Sequence, residues 1–138
     1  MRTYPDARGL PLTAVAASAV AAFDRAIDAY LASAADTGAR VEAVILADPG
    51  MPMAHCLEGY LLILAGLPDT LRRAPASLAA ARRRADAATA RERAHVDALA
   101  AWCAGDIRGT IDRLEAILVE HPRDILAFRI AHYLHFFI

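Results

Sequence analysis

The chain lacks several residue types on which familiar functions depend. It contains no lysine, asparagine or glutamine, so every basic side chain is an arginine. Its net charge of −1 differs from the strongly basic balance that is typical of proteins that bind nucleic acid or anionic membranes. Only two cysteines occur, Cys56 and Cys103, and they do not form a Cys-x-x-Cys pair. We therefore expect buried, reduced thiols in a cytoplasmic protein, with a disulfide between the two as the alternative.

The sequence also has few features of an enzyme or a membrane protein. No glycine-rich phosphate loop occurs, and none of the serines lies in a Gly-x-Ser-x-Gly motif. No uninterrupted apolar run reaches the roughly 18 residues that a membrane span requires. We therefore predict a non-enzymatic protein that has no cofactor and no metal and binds neither nucleic acid nor membrane.

Alanine and helical periodicity dominate what is present. Hydrophobic residues make up 57% of the chain, and many of them are alanine, the strongest helix former. Residues 1–12 are predicted to be an irregular lead-in, and Thr13 is predicted to cap the first helix. No segment alternates between apolar and polar residues, so no strand is predicted. Helix three is predicted over 52–65. Helix four is predicted over 75–87, because a proline is tolerated in the first turn of a helix and Pro75 should therefore begin one. Later helices are predicted to start at the Thr89–Glu92 capping box, at Asp106 and after Asp124.

The proline-ended helices indicate a repeat. Asp48-Pro49 and His121-Pro122 lie a little more than two repeats of roughly 34 residues apart, which is the period of tetratricopeptide helix hairpins. Gly105 falls at the expected turn between the two helices of the best-fitting unit. The predicted fold is an all-α superhelix of about three antiparallel hairpins plus an unpaired C-terminal helix. Residues 1–138 are predicted to form a single domain.

Several ordered stretches resemble the tetratricopeptide repeat protein 38 family. They are 6–13, 47–49, 53–55, 91–96 and 118–124, followed by Ala127, Ala131 and His132. Members of that family are much longer, so the chain is similar to their N-terminal third and is expected to be part of a longer solenoid. The resemblance implies a helical-repeat fold of poorly defined function and supplies no catalytic residues.

A partner-binding groove is predicted on the first helix of each hairpin, which usually lines the concave side of such stacks. On helix five this places Glu92, His95, Leu99 and Trp102 toward a protein or peptide partner. A single tryptophan is a common interface anchor, although a tryptophan on a helix is more often part of the core. The register of helix three is ambiguous by two residues. Its candidates are His55, Glu58 and Leu62.

The histidines support an alternative, a helical domain of an enzyme that binds a small molecule or a metal. His132 and His135 are spaced i, i+3 and could share one ion, with His95 as a further ligand. A metal site typically needs about three or four ligands. The sequence therefore favours histidines that pack among apolar residues.

The last helix is apolar on all sides, which favours burial against something else. Its self-association candidates are Tyr133, Leu134, Phe136, Phe137 and Ile138. Because terminal repeats normally have a polar outer face, this helix indicates either a piece of a longer solenoid or a homodimer. We expect a dimer through this helix, and a module that only assembles with itself is a further alternative.

Overall fold

Helices carry most of the chain. The structure is a computed structural model that describes residues 2–137, and within them the chain forms seven α-helices and one two-stranded hairpin. The elements are β1 (Arg2–Pro5), β2 (Pro11–Ala14), α1 (Ala17–Leu31), α2 (Thr37–Ala47), α3 (Pro52–Ala65), α4 (Pro68–Arg82), α5 (Ala90–Cys103), α6 (Ile107–Glu120) and α7 (Ile125–Leu134). Short 3₁₀ turns follow α4 and α7. The prediction of a predominantly helical protein is confirmed.

The first residues form a β-hairpin, so the prediction of an irregular lead-in without strands is wrong. β1 pairs antiparallel with β2, with Thr3 opposite Thr13. Asp6 stabilises the connecting turn because its Oδ1 accepts the backbone N–H groups of Arg8 and Leu10. Thr13 therefore lies in a strand, and α1 begins four residues later. Neither strand alternates between buried and exposed residues, so a search for a period of two does not find them.

Helix four also differs from the prediction. It begins at Pro68 and contains Pro75, whereas we expected it to begin at Pro75 and to continue to residue 87. Pro68 occupies the first turn of α4. The Leu67 N–H donates to the hydroxyl oxygen of Thr70, so the start of this helix is well defined. Proline has no backbone N–H, so the carbonyl group four residues before Pro75 is left without its helical donor. Because Pro75 is exposed, water can hydrate that carbonyl group.

Short connections make successive helices pack as neighbours. α1 packs with α2, α3 with α4, and α5 with α6, while α3 also contacts α5 and α6 contacts α7. Each helix turns an apolar face inward, so that one continuous core results. Its largest fully buried apolar side chains are Leu12, Met51, Met53, Leu57, Tyr60, Leu99, Leu114, Ile130 and Leu134.

A glycine allows α3 and α5 to approach closely. A Cβ atom added to Gly59 would lie 2.7 Å from Cδ2 of Leu99, which is itself fully buried. This contact sets how α5 lies on α3.

The last helix is partly covered, which corrects the expectation of an unpaired rod. α7 packs on α6 and buries one face, which consists of Leu126, Ala127, Ile130, Ala131 and Leu134. The opposite face carries exposed aromatic side chains.

Candidate functional site

The α5 residues predicted to line an open groove lie inside the protein instead. Glu92, His95 and Leu99 are fully buried, and Trp102 is only 7% exposed. The reason is that α5 packs on α3, so this side of α5 faces the core. None of these four side chains therefore lines an open groove, which corrects the placement that the sequence predicted.

The α3 candidates differ from one another in how far they are exposed. His55 is buried, and its Nε2 donates to the Pro49 carbonyl at 2.6 Å. Glu58 and Leu62 are half-buried and reach an open groove that is described below.

The buried polar residues of α5 form a hydrogen-bonded network. His95 lies between two partners: its Nε2 is 2.8 Å from Oδ2 of Asp124, and its Nδ1 is 2.9 Å from the Tyr60 hydroxyl. Arg91 donates to the same Asp124 oxygen at 2.8 Å. Burial tends to raise the pKa of Asp124, but His95, the Ala127 N–H and Arg91 together hold that pKa below its usual value. Asp124 is therefore an ionised acceptor that joins α5 to the start of α7, and His95 extends the network to Tyr60 on α3.

Two neighbouring side chains of α5 hold the N-terminal hairpin. Glu92 accepts both the backbone N–H and the hydroxyl of Thr13, at 3.0 and 2.6 Å. Arg91 donates to the Pro11 carbonyl at 3.1 Å. Glu92 also completes the capping box with Thr89, as the sequence predicted. The same carboxylate thus starts α5 and fixes β2 against it.

This network supports the fold and is closed to solvent. Within residues 2–137, every buried side-chain nitrogen and oxygen has a hydrogen-bond partner. Burial raises the pKa of the Tyr60 hydroxyl, and Cys56 and Asp124 raise it further, so Tyr60 remains a donor. Burial likewise raises the pKa of the Cys56 thiol, with a further contribution from Glu92. A neutral, buried thiol is a poor nucleophile.

The two cysteines are free in the structure, Cys56 buried and Cys103 half-buried, so the alternative of a disulfide between them is not realised.

The three histidines of the alternative site have separate surroundings. His95 is enclosed by the network, His132 stacks on Phe128, and His135 bonds Glu115 at 2.7 Å. In the part of the chain that the structure describes, no group of three or more His, Cys, Asp or Glu side chains is placed to hold a metal. The structure therefore does not assemble the site that His95, His132 and His135 were predicted to share.

An open groove lies over α3, between α2 and α4. It has a volume of about 410 Å³. We call it the α2–α4 groove, and it is lined by Thr37, Gly38, Val41 and Glu42 of α2, Glu58, Leu61 and Leu62 of α3, and Arg73 of α4. Val41, Leu61 and Leu62 form an apolar floor, while Glu42, Glu58 and Arg73 add charge. Of the residues predicted to line a groove, Glu58 and Leu62 are those that do so here.

The charged side chains of the α2–α4 groove are largely free to meet a ligand. The Glu58 carboxylate accepts the Ser77 hydroxyl at 2.7 Å, which holds it against α4. Among the ion pairs formed by residues 2–137, none includes Glu42, Glu58 or Arg73. Gly38 has no heavy atom within 4 Å of the position that a Cβ would take, so the α2 side of the groove is open.

A second surface feature is the exposed face of α7 and the turn after it. Phe128 stacks on His132, which contacts the edge of Phe136, and Tyr133 packs against Phe137. Phe136 is 76% exposed and Phe137 61%. Leu134, a predicted self-association residue, is instead buried in the core, and Ile138 lies outside the described residues.

The comparisons with known proteins add no relative: no family model, no curated protein and no solved structure matches the chain. The resemblance to the tetratricopeptide repeat protein 38 family thus stays a prediction. Among the helices described, none has both the length and the apolar character that crossing a membrane would demand.

The sequence did not indicate six of the eight residues that line the groove, which are Thr37, Gly38, Val41, Glu42, Leu61 and Arg73. Arg73 was missed because the predicted helix four began at Pro75, whereas α4 begins at Pro68. A usable signal was the continuation of one α3 face from Glu58 to Leu61 and Leu62, at spacings of three and four.

Proposed function

We propose that the protein is a non-catalytic, tetratricopeptide-like scaffold that binds a peptide segment of another protein in the α2–α4 groove. Three sequential helix pairs with short connections support a repeat architecture of this kind. The groove is the observation that carries the proposal, because it combines an open apolar floor with charged side chains that form no ion pair within residues 2–137.

The buried network supports binding rather than catalysis. Tyr60, His95 and Asp124 form a chain of hydrogen bonds that could resemble a catalytic arrangement. All three are at most 2% exposed, and each is occupied by partners within the protein. A reacting group needs access to its substrate, which this arrangement does not offer.

Blocking the groove tests the proposal. We expect Gly38→Phe to place a ring over the groove, because Gly38 lines it and nothing lies within 4 Å of the Cβ position. Ala39→Phe is the matched control, since Ala39 is an exposed neighbour on α2 outside the groove lining. A phage-displayed library of random peptides of about 12 residues, selected on the wild-type protein, supplies ligands.

We expect the selected peptides to bind wild type and Ala39→Phe, and to lose at least about tenfold in affinity for Gly38→Phe. Circular dichroism verifies that both variants are folded. Peptides that bind all three proteins equally, or a selection that yields no binder, would contradict a peptide-binding groove at this place.

A second candidate function is assembly with another copy of the chain through α7. The exposed aromatic side chains of this helix and its following turn favour it, because large contiguous apolar patches commonly mark interaction sites. Its expected consequence is a dimer in solution.

A further inference from the structure

We infer that the α2–α4 groove selects an amphipathic helical segment that carries one basic and one acidic side chain about one turn apart. This inference rests on the proposed function, and it adds the chemical class of the ligand. It follows from the order of charges along the groove, which the connections between helices and one hydrogen bond establish.

The two carboxylates of the groove lie at the same end. The connection between α2 and α3 is short and the two helices contact each other, so we take them as antiparallel neighbours. Glu42 lies near the middle of α2 and Glu58 near the middle of α3, so the two residues are about equally far from the connection. Both carboxylates therefore lie at a similar height, and among the groove-lining residues of α2 and α3 they are the nearest to this connection. A cation is attracted to this end of the groove.

Arg73 lies toward the other end. The hydrogen bond from Ser77 to Glu58 places these two residues at one level of the α3–α4 pair. Arg73 is four residues before Ser77 on α4, and Leu62 is four residues after Glu58 on α3. Because α3 and α4 are joined by a tight turn, both steps lead the same way, by about 6 Å. The backbone of Arg73 is therefore at the level of Leu62, about one turn from the acidic end, and its side chain lines the groove from there.

The apolar floor lies along the same interval. Val41 is buried, Leu61 and Leu62 are half-buried, and Gly38 leaves room above them. A ligand helix can place apolar side chains on this floor while side chains at i and i+4 reach the two charged ends. A basic side chain then meets Glu42 and Glu58, and an acidic one meets Arg73. Charge complementarity of this type mainly determines specificity.

The peptides selected on the wild-type protein give the first test. We expect those that Gly38→Phe rejects to be enriched in one Lys or Arg and one Asp or Glu, three or four residues apart, on an otherwise apolar face. Peptides that are rejected by Gly38→Phe but lack this pair would overturn the charge-selectivity inference and leave the binding function in place. Peptides insensitive to Gly38→Phe would overturn both.

Charge reversal on the protein gives the second test. The best peptide is compared with a version in which lysine replaces its acidic residue. Fluorescence anisotropy measures the affinity of each peptide for the protein. We expect the original peptide to bind wild type about tenfold more tightly than the lysine version, and Arg73→Glu to reverse this preference. Arg72→Glu is the matched control, since Arg72 is exposed and outside the groove lining.

The preference should also fall with added salt, as expected for exposed charges. If Arg73→Glu and Arg72→Glu behave alike, Arg73 does not read the ligand and the inference is wrong. Both positions are exposed, so neither substitution should unfold the protein.

Discussion

Gly59 shows how a single missing side chain determines packing between helices. Changing Gly59 to alanine would force the fully buried Leu99 to move, because the new methyl group would lie 2.7 Å from its Cδ2 atom. We expect the free energy of unfolding to fall by about 1–3 kcal/mol, as for other overpacked cores. Urea denaturation followed by circular dichroism measures this change.

The control is Gly38→Ala on α2, where the added methyl group meets nothing within 4 Å. It should leave the stability unchanged or raise it by about 0.5–1 kcal/mol, because alanine favours helix. Equal unfolding midpoints for wild type and Gly59→Ala would show that α3 and α5 do not approach as closely as described.

Asp124 should make stability depend on pH. Its pKa in the folded protein is below the ordinary value, since His95, the Ala127 N–H and Arg91 outweigh the effect of burial. A lowered folded-state pKa contributes stability above the unfolded pKa of about 4, and this contribution is lost as pH falls below that value. Asp124→Asn should therefore reduce the unfolding free energy at pH 7 by about 3 kcal/mol, because Arg91 is left buried without its charge partner.

The difference between Asp124→Asn and wild type should shrink as the pH is lowered through about 4 toward 3. Denaturation curves at several pH values measure it. Asp112→Asn on the exposed side of α6 is the control and should follow the wild type throughout. A constant difference across the whole range would exclude Asp124 as the titrating group.

The N-terminal hairpin is an element held by side chains from a distant helix. Thr13→Val removes the hydroxyl that donates to Glu92 at 2.6 Å and leaves that buried carboxylate with one hydrogen bond fewer. We expect a loss of about 1–3 kcal/mol in stability, and faster hydrogen exchange of the β1 and β2 amides. Exchange followed by mass spectrometry measures the local effect.

Thr3→Val is the matched control, because Thr3 pairs with Thr13 across the hairpin but is exposed. If both valine variants exchange alike, Glu92 does not anchor the hairpin. The prediction concerns β1 and β2 and not the helices, whose amides are bonded within each helix.

The elements differ in how far local sequence determines them. The capping box at Thr89 and Glu92, and the side-chain caps at Asp106 and Asp124, form as predicted. Each such signal acts within about one turn, so it is readable without tertiary structure. Pro75 misled the prediction because a proline on an exposed helical face can be tolerated when the rest of the helix is well packed.

For the protein in solution, the exposed aromatic face of α7 predicts self-association. Phe136→Arg combined with Phe137→Arg places charge on two side chains that are 76% and 61% exposed, so the fold should persist. We expect wild type to have the mass of a dimer at micromolar concentration, and the double variant that of one chain. Light scattering coupled to gel filtration measures both masses.

Leu46→Arg is the control, since Leu46 is exposed on α2 and distant in sequence from α7. It should keep the mass of the wild type. A wild-type mass equal to one chain would contradict dimerisation through α7 and would leave peptide binding in the α2–α4 groove untouched.

Helical class and most helix boundaries could be predicted from residue order alone. The amphipathic spacing of apolar residues, the caps and the prolines are local, and they act on the backbone near them. The position of Gly105 after α5 and the start of α3 at Pro52 belong to the same class of signal.

Which face of α5 points inward was decided only in three dimensions. Arg91, Glu92 and His95 are polar, yet all are buried, because Asp124, Tyr60 and the hairpin supply their hydrogen-bond partners. Thr13 is 79 positions from Glu92 along the chain, and no local pattern announces that pairing. The cost of burying a polar group depends on partners that only the folded chain brings near. Because those partners are present, the polar side of α5 is buried, and the open groove lies instead on α2, α3 and α4.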